Sequence, residues 1–422
     1  MAEAGGVQQR IRELPSRVVV YLLLAAALFE DLGYLGVWRK PTSGLDGLAV
    51  PSLTATALWQ ARRRVGVAPL WALFDLLRGP AGSALTTASR WCGLLVVAID
   101  GTTVDVPDSP ANRRHLGKHG IWHGGAGYPQ IRLLALVARG TRAVIDAVFG
   151  PRTQGEPTQA RRLLRARHAG MIVLLDRGVA TNDFIAATAA TGADLLVRLT
   201  AGRRPPVLAR YRDGSCLSNI AGVQVRVIEC AITVTTTAGT HTGVYRLATT
   251  LLDHYRHPAF DLVKLYHERW EIESAYFEIK STLLGRRVLR SRTPHAIAQE
   301  IYALLTLYQV LRIAITDATD AIPAADPDRA SFTIAAHTAR DLVIQAAGVI
   351  AGATIDLVGA IGRRLLDNLM PPRRIRTSPR AVKRPLSRLR LQEPARQPHD
   401  LQGHHRHRHP HRPRPLTAIT NP

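Results

Sequence analysis

Two short apolar runs, Leu94–Ile99 and Met171–Leu175, each stop at an aspartate. Asp100-Gly101 follows the first and Asp176-Arg177-Gly178 the second. A run this short, bounded by turn residues, reads as a strand buried on both faces. Around them, residues 130–138 and 141–149 flank Arg139-Gly140 and predict a hairpin. Residues 156–168 form a basic amphipathic helix, 183–190 another helix, and 194–199 a further strand. The order strand, hairpin, helix, strand, helix, strand predicts a mixed α/β sheet with crossover helices. In open α/β sheets the ligand crevice lies beyond the carboxyl ends of strands, where both aspartates fall. Taken singly, each aspartate fits a strand-end turn or a helix cap equally well.

With 422 residues the chain exceeds one ordinary core. Residues 1–90 read as a helical N-terminal domain. Pro15 stands at a helix start, and a second helix spans 51–65 with Ser52 or Thr54 near its beginning. That helix carries Arg62, Arg63 and Arg64 and is followed by Pro69–Phe74. Two short helices with a basic second one suggest a helix-turn-helix-like DNA reader using Arg62 and Arg63. A basic solvated face on a helical bundle has the same pattern. Residues 91–318 hold the α/β region, interrupted at about 201–252 by a Val-, Ile- and Thr-rich β insertion. Residues 319–370 are again helical. From 371 to 422, thirteen Lys and Arg face only Glu393 and Asp400, among many prolines, which predicts a disordered basic tail. Its five closely spaced histidines, from His404 to His411, are more simply part of a low-complexity segment than a metal site.

The net charge of +23 calls for a polyanionic partner, nucleic acid before an acidic membrane. Cys92, Cys216 and Cys230 form no Cys-x-x-Cys pair, so neither a disulfide framework nor a thiolate zinc site is expected. This usage fits a reducing cytoplasm. The apolar run Val18–Phe29 is too short to span a bilayer, which needs roughly 20 residues. No membrane association is expected.

A long helix is predicted over about 260–284. At about 100° per residue, Tyr266, Arg269, Glu273 and Lys280 share an arc of about 60°. Leu265, Ile272, Ala275, Tyr276, Ile279 and Leu283 form the core face beside it. Glu268, Glu271 and Glu278 point elsewhere, so Glu273 is the one carboxylate on the Tyr-Arg-Lys stripe. Substitution of Glu271 or Glu278 is accordingly expected to matter little. Alone, the stripe is also an exposed face with an i,i+4 ion pair. Joined to Asp100 and Asp176, it supplies three carboxylates able to hold two Mg²⁺ ions for phosphodiester chemistry.

The spacing Tyr266-x2-Arg269-x3-Glu273-x6-Lys280 resembles the Tyr-Arg-Glu-Lys signature of insertion-element transposases of the fourth insertion-sequence family. Asp100-Gly101-Thr102, with Pro107-Asp108 and Asn112, resembles that family's first-aspartate region, and Asp176-Arg177-Gly178 its second. Residues 14–74 resemble the helical N-terminal domain of one branch. The resemblance covers about 14–315 and leaves out the tail. It implies an RNase-H-like, retroviral-integrase-like catalytic domain. It also implies that Asp100, Asp176 and Glu273 bind Mg²⁺, with Mn²⁺ able to substitute. Tyr266, Arg269 and Lys280 would hold phosphates of the transposon end. Trp270 falls where relatives set an aromatic against that end, although a core tryptophan fits the position too. The implied activity is cleavage at transposon ends and strand transfer into target DNA. Double-stranded DNA is the implied partner, and a homodimer the implied assembly on it. A repurposed DNA-binding protein and a nuclease without strand transfer are the alternatives.

Overall fold

The computed structural model describes residues 14–43, 50–82, 86–118, 127–236, 239–322, 327–345, 356–371 and 416–418. Four helices come first: α1 (Ser16–Leu28), α2 (Tyr34–Thr42), α3 (Ala55–Val65) and α4 (Ala68–Leu77). Pro15 precedes α1, and the Thr54 hydroxyl caps α3 by accepting the Ala57 N–H at 3.1 Å. The central region follows as β1 (Arg90–Trp91), β2 (Leu94–Asp105), α5 (Pro110–Leu116), β3 (Gln130–Ala138) and β4 (Val144–Pro151). It continues with α6 (Glu156–Ala160), β5 (Met171–Leu175), α7 (Asn182–Ala189) and β6 (Asp194–Arg198). Then come β7 (Ala209–Arg210), β8 (Cys216–Ile220), β9 (Val223–Thr236) and β10 (Gly239–Thr249). Helices α8 (Ala259–His267), α9 (Glu271–Phe277), α10 (Pro294–Asp320), α11 (Phe332–Gln345) and α12 (Leu357–Leu366) complete the body.

The strands form one sheet in the order β4-β3-β2-β5-β6-β10-β9-β8-β7. The pairs β2–β5 and β5–β6 are parallel, and β3 runs antiparallel to both β2 and β4. The mixed α/β sheet flanked by helices is thus the fold the sequence predicts. Strands β7–β10 are the expected insertion, and they continue the central sheet: β10 pairs with β6 through Leu247–Arg198, Ala248–Val197 and Thr249–Leu196.

Side chains alternate across β2, so it feeds two cores. Val96, Ala98 and Val104 join the core with α1, α3, α4, α8, α9 and α10. Val97 and Ile99 join the core with Ala160, Leu163, Phe184 and Ile185 on the opposite face. The N-terminal helices share the first core with α10, so residue 90 marks a change of secondary structure and not a break in packing. Helix α10 is long and apolar enough to cross a membrane, but Ala303, Leu305, Tyr308 and Ile315 are buried in this core. Of the basic tail, Leu416–Ala418 is described, as a strand β11 parallel to β9. The remainder of the tail, with the histidine cluster, lies outside the described residues.

Candidate active site

The parallel ladder between β2 and β5 ends at the pair Ile99–Leu175. Asp100 and Asp176 are the next residues, which places both aspartates just past the end of this parallel ladder. Strand β2 runs on past this point, where Asp100 pairs with Ala135 of β3. One Asp100 carboxylate oxygen accepts the Gly101 N–H at 2.8 Å. The Asp100 carbonyl accepts the Tyr276 hydroxyl at 2.5 Å. Burial pushes the Asp100 carboxyl up to about 6, against the pull of Arg269 and with help from Glu156 and Glu273.

The helical segment 259–283 crosses this end of the sheet. It is not one uniform helix: residues 268–270 tighten into a 3₁₀ turn, and Glu278–Leu283 widens into a π segment. Such π turns recur where a side chain must be re-aimed. Here the segment carries Lys280, whose ammonium lies 3.4 Å from the Thr102 hydroxyl, two residues past Asp100 on the same strand face. The expected core face is buried throughout, from Leu265 to Leu283.

Arg269 occupies the centre of the acidic group. Its guanidinium lies 3.7 Å from Asp100 and 3.9 Å from Glu273. Burial opposes its charge, yet Tyr266, Asp176, Asp100 and Glu273 together hold it above the ordinary arginine range. Tyr266 is buried and donates to the carbonyl of Leu175, the residue before Asp176, at 3.2 Å, so its hydroxyl is engaged by backbone and not presented to a phosphate as the resemblance implied. Trp270 is 38% exposed and Phe277 59%, one turn on either side of Glu273. The sequence reading did not single out Phe277.

The sequence reading also missed how the other helix acids are used. Glu271 and Glu278 are buried and not spectators. Glu271 accepts the Gly140 N–H at 2.5 Å, and burial and Asp328 push its carboxyl upward. Gly140 sits at φ 74°, and a Cβ there would meet the Ala88 carbonyl at 2.5 Å, so this hairpin tip requires glycine. Glu278 pairs with Arg142 at 2.8 Å and with Arg312. Burial alone would raise its carboxyl, but Arg312 and Arg142 hold it below the ordinary range. The expectation that changes at these two positions matter little is therefore corrected: both acids tie the helix to the β3–β4 hairpin and α10.

Arg62 is a second correction. It is 7% exposed, stacks over the Tyr34 ring at 4.1 Å, and donates to Ser291 at 2.8 Å. Its guanidinium is buried in the contact between α3 and the segment leading into α10, not on the exposed face that the sequence reading assigned to it. Arg63 is exposed and lies over the half-exposed Trp59 ring at 4.8 Å. In the first-aspartate region, Asn112 is buried and donates to the carbonyls of Pro107 and Ser291. Asp108 is at the surface, paired with Lys118 at 2.8 Å.

Among the described residues no three acids, histidines or cysteines stand drawn together as ligands. The chemistry of the donors nevertheless fits a hard divalent cation. All are carboxylate oxygens, and desolvation at Asp100, with smaller contributions from Glu156 and Glu273, opposes its ionisation until a cation is bound.

A family model for the transposase DDE domain matches residues 91–310. This chain belongs to the DDE transposase family. A second model, for the N-terminal region of insertion element 4 transposases, matches residues 1–75. The DDE transposase is 26% identical over 396 residues to the transposase InsG for insertion sequence element IS4 of Escherichia coli K12, covering 91% of this chain and 88% of that one. It is 31% identical over 178 residues to the putative transposase InsZ of the same organism, covering 42% and 58%. A piggyBac transposase synaptic complex with hairpin DNA aligns at a TM-score of 0.41 and 11% identity, over 86% of this chain and 80% of that one, a similarity too slight to argue from. As a DDE transposase it is a DNA-cleaving enzyme of a family that works with divalent metal ions.

Proposed function

We propose that Asp100, Asp176 and Glu273 hold two divalent cations, Mg²⁺ in the cell with Mn²⁺ able to substitute. The observation that carries this reading is Arg269 set among Asp100, Glu273 and Asp176 where the parallel β2–β5 ladder ends. Bound there, the cations would activate the attacking oxygen and stabilise the leaving one. Water displaces one DNA strand from a phosphodiester at the element end, leaving a 3′-hydroxyl. That hydroxyl then attacks a phosphodiester of target DNA, exchanging one ester for another. The protein's task is to hold these groups in line.

Arg269 and Lys280 hold phosphates beside the acids, and the Tyr266 backbone anchor keeps the helix against Asp176. Trp270 packs against the bound DNA end. Arg63 contacts DNA from the N-terminal helices. The enzyme recognises inverted repeats of its own element and acts as a homodimer bridging two ends in the cytoplasm of a bacterium.

The test uses the purified full chain with labelled DNA carrying the inverted repeats that flank its gene, and reads cleavage and joining separately. Both products should require Mg²⁺ or Mn²⁺ and vanish in Asp100→Asn, Asp176→Asn and Glu273→Gln. Cleavage that persists in Asp100→Asn would overturn the reading.

A further inference from the structure

Gly101 sits inside β2 at ordinary strand geometry, absent from the residues with positive φ. Its lack of a side chain therefore answers a demand other than backbone conformation. Glycine inside a strand often marks a close approach. The approaching group is the carboxylate of Glu156. A Cβ on Gly101 would lie 3.1 Å from Glu156 Oε1 and 3.5 Å from its Cδ. Glu156 is the first residue of α6, reached from β4, whose Gly150 pairs with Arg132 of β3 at the level of Thr103. It thus stands at the same end of the sheet as Asp100. It comes from the other side: α6 packs with Ile99 in the second core, whereas α9 and Glu273 lie on the first.

Glu156 is half-buried, and among the described residues no arginine or lysine is paired with it. Its charge acts on Asp100 and Tyr276, where it adds to the larger effect of burial on both. A carboxylate brought beside another, with no basic partner and with room kept for it by a glycine, costs stability unless a cation joins them.

We propose that Glu156 is a fourth carboxylate of the metal centre, giving an oxygen donor to the cation held by Asp100 from the face opposite Glu273. The inference rests on the reading that Asp100 binds metal. Gly101 is then part of the site, because it leaves the gap through which Glu156 reaches the cation. A purely structural role is the competing account: an acid in the first turn of a helix favours that helix.

The two accounts differ in sign without metal. Mn²⁺ binding to the full chain, followed by the electron paramagnetic resonance of free Mn²⁺, is compared with thermal unfolding in EDTA. Glu156→Gln should weaken Mn²⁺ binding about tenfold or more, the usual effect of losing a group beside a metal. Its melting temperature in EDTA should equal or exceed that of the native chain, because a repulsion has been removed. Gly101→Ala should weaken Mn²⁺ binding in the same direction, since the new methyl displaces the carboxylate. Unchanged Mn²⁺ affinity in Glu156→Gln overturns the proposal, as does a lowered melting temperature in EDTA with native affinity, which marks a helix-start acid. Asp100→Asn separates the two levels. If it loses Mn²⁺ while Glu156→Gln does not, only the fourth ligand is wrong. If Asp100→Asn also binds as the native chain does, the underlying metal site falls.

Discussion

The Tyr276 hydroxyl joins the catalytic strand to its neighbour: it donates to the Asp100 carbonyl at 2.5 Å and accepts the Ala135 N–H at 2.9 Å. Asp100 and Ala135 are register partners in β2 and β3. A side chain from α9 thus sits across a backbone pair in the middle of the sheet, and it fixes the height of Asp100 relative to the helix that carries Glu273. Tyr276→Phe keeps the packing but strands one donor and one acceptor in a buried place. The expected loss is ~1–3 kcal/mol of stability, read by urea unfolding. The rate of end cleavage should fall with it at temperatures where the variant is fully folded. A native rate there would show that the bridge serves folding alone.

Glu273→Gln and Glu278→Gln should fail in different ways. The first leaves a folded protein that binds element ends in EDTA but neither cuts nor joins. The second leaves Arg142 and Arg312 buried without their anion, at a cost of about 3–5 kcal/mol. Circular dichroism melting curves distinguish them. A Glu278→Gln variant with native stability would mean that the buried ion pairs contribute nothing net.

Asp100 predicts opposite pH dependences with and without metal. Its carboxyl is raised from 3.8 to about 6 in the fold, so the metal-free folded state holds a proton that the unfolded chain releases earlier. This contribution to stability is complete below about pH 4 and is lost as pH rises through about 6. Metal needs the ionised form, so Mn²⁺ affinity should instead rise across the same window. Asp100→Asn should abolish this component of the stability slope. Parallel titrations of melting temperature and Mn²⁺ binding give the answer, and slopes of the same sign would contradict it.

Arg62 and Arg63 are neighbours with opposite duties. Arg62→Ala removes the buried hydrogen bonds to Ser291 and to the Ala296 carbonyl, so a loss of ~1–3 kcal/mol is expected. Arg63→Ala should leave stability within about 0.5 kcal/mol, as exposed substitutions do, and weaken DNA binding. Retained affinity in Arg63→Ala would remove α3 from the DNA interface.

Much of the site is legible in the sequence because it depends on local order. Apolar runs that stop at Asp100 and Asp176 mark where the parallel β2–β5 pairing ends, although β2 itself continues to Asp105 beside β3, and helical period sets Glu273 apart from Glu271 and Glu278. What period cannot supply is the identity of the group waiting at a given angle. Glu278 meets Arg142, 136 residues away, and Glu271 meets Gly140, 131 residues away. Arg62 reads as one of three basic surface residues until α10 is folded against it. The π segment around Lys280 leaves no mark in Glu278–Leu283 either, since it arises from how that turn seats against its neighbours.

The bond between β6 and β10 has a consequence for how such a chain is altered. A protruding module attached by loops is dispensable to the layer beneath it, but β10 seals what would otherwise be a bare strand edge. Excising residues 200–252 would leave the outward N–H and C=O groups of Leu196, Val197 and Arg198 open to pairing with another molecule, and the shortened protein should aggregate before it misfolds.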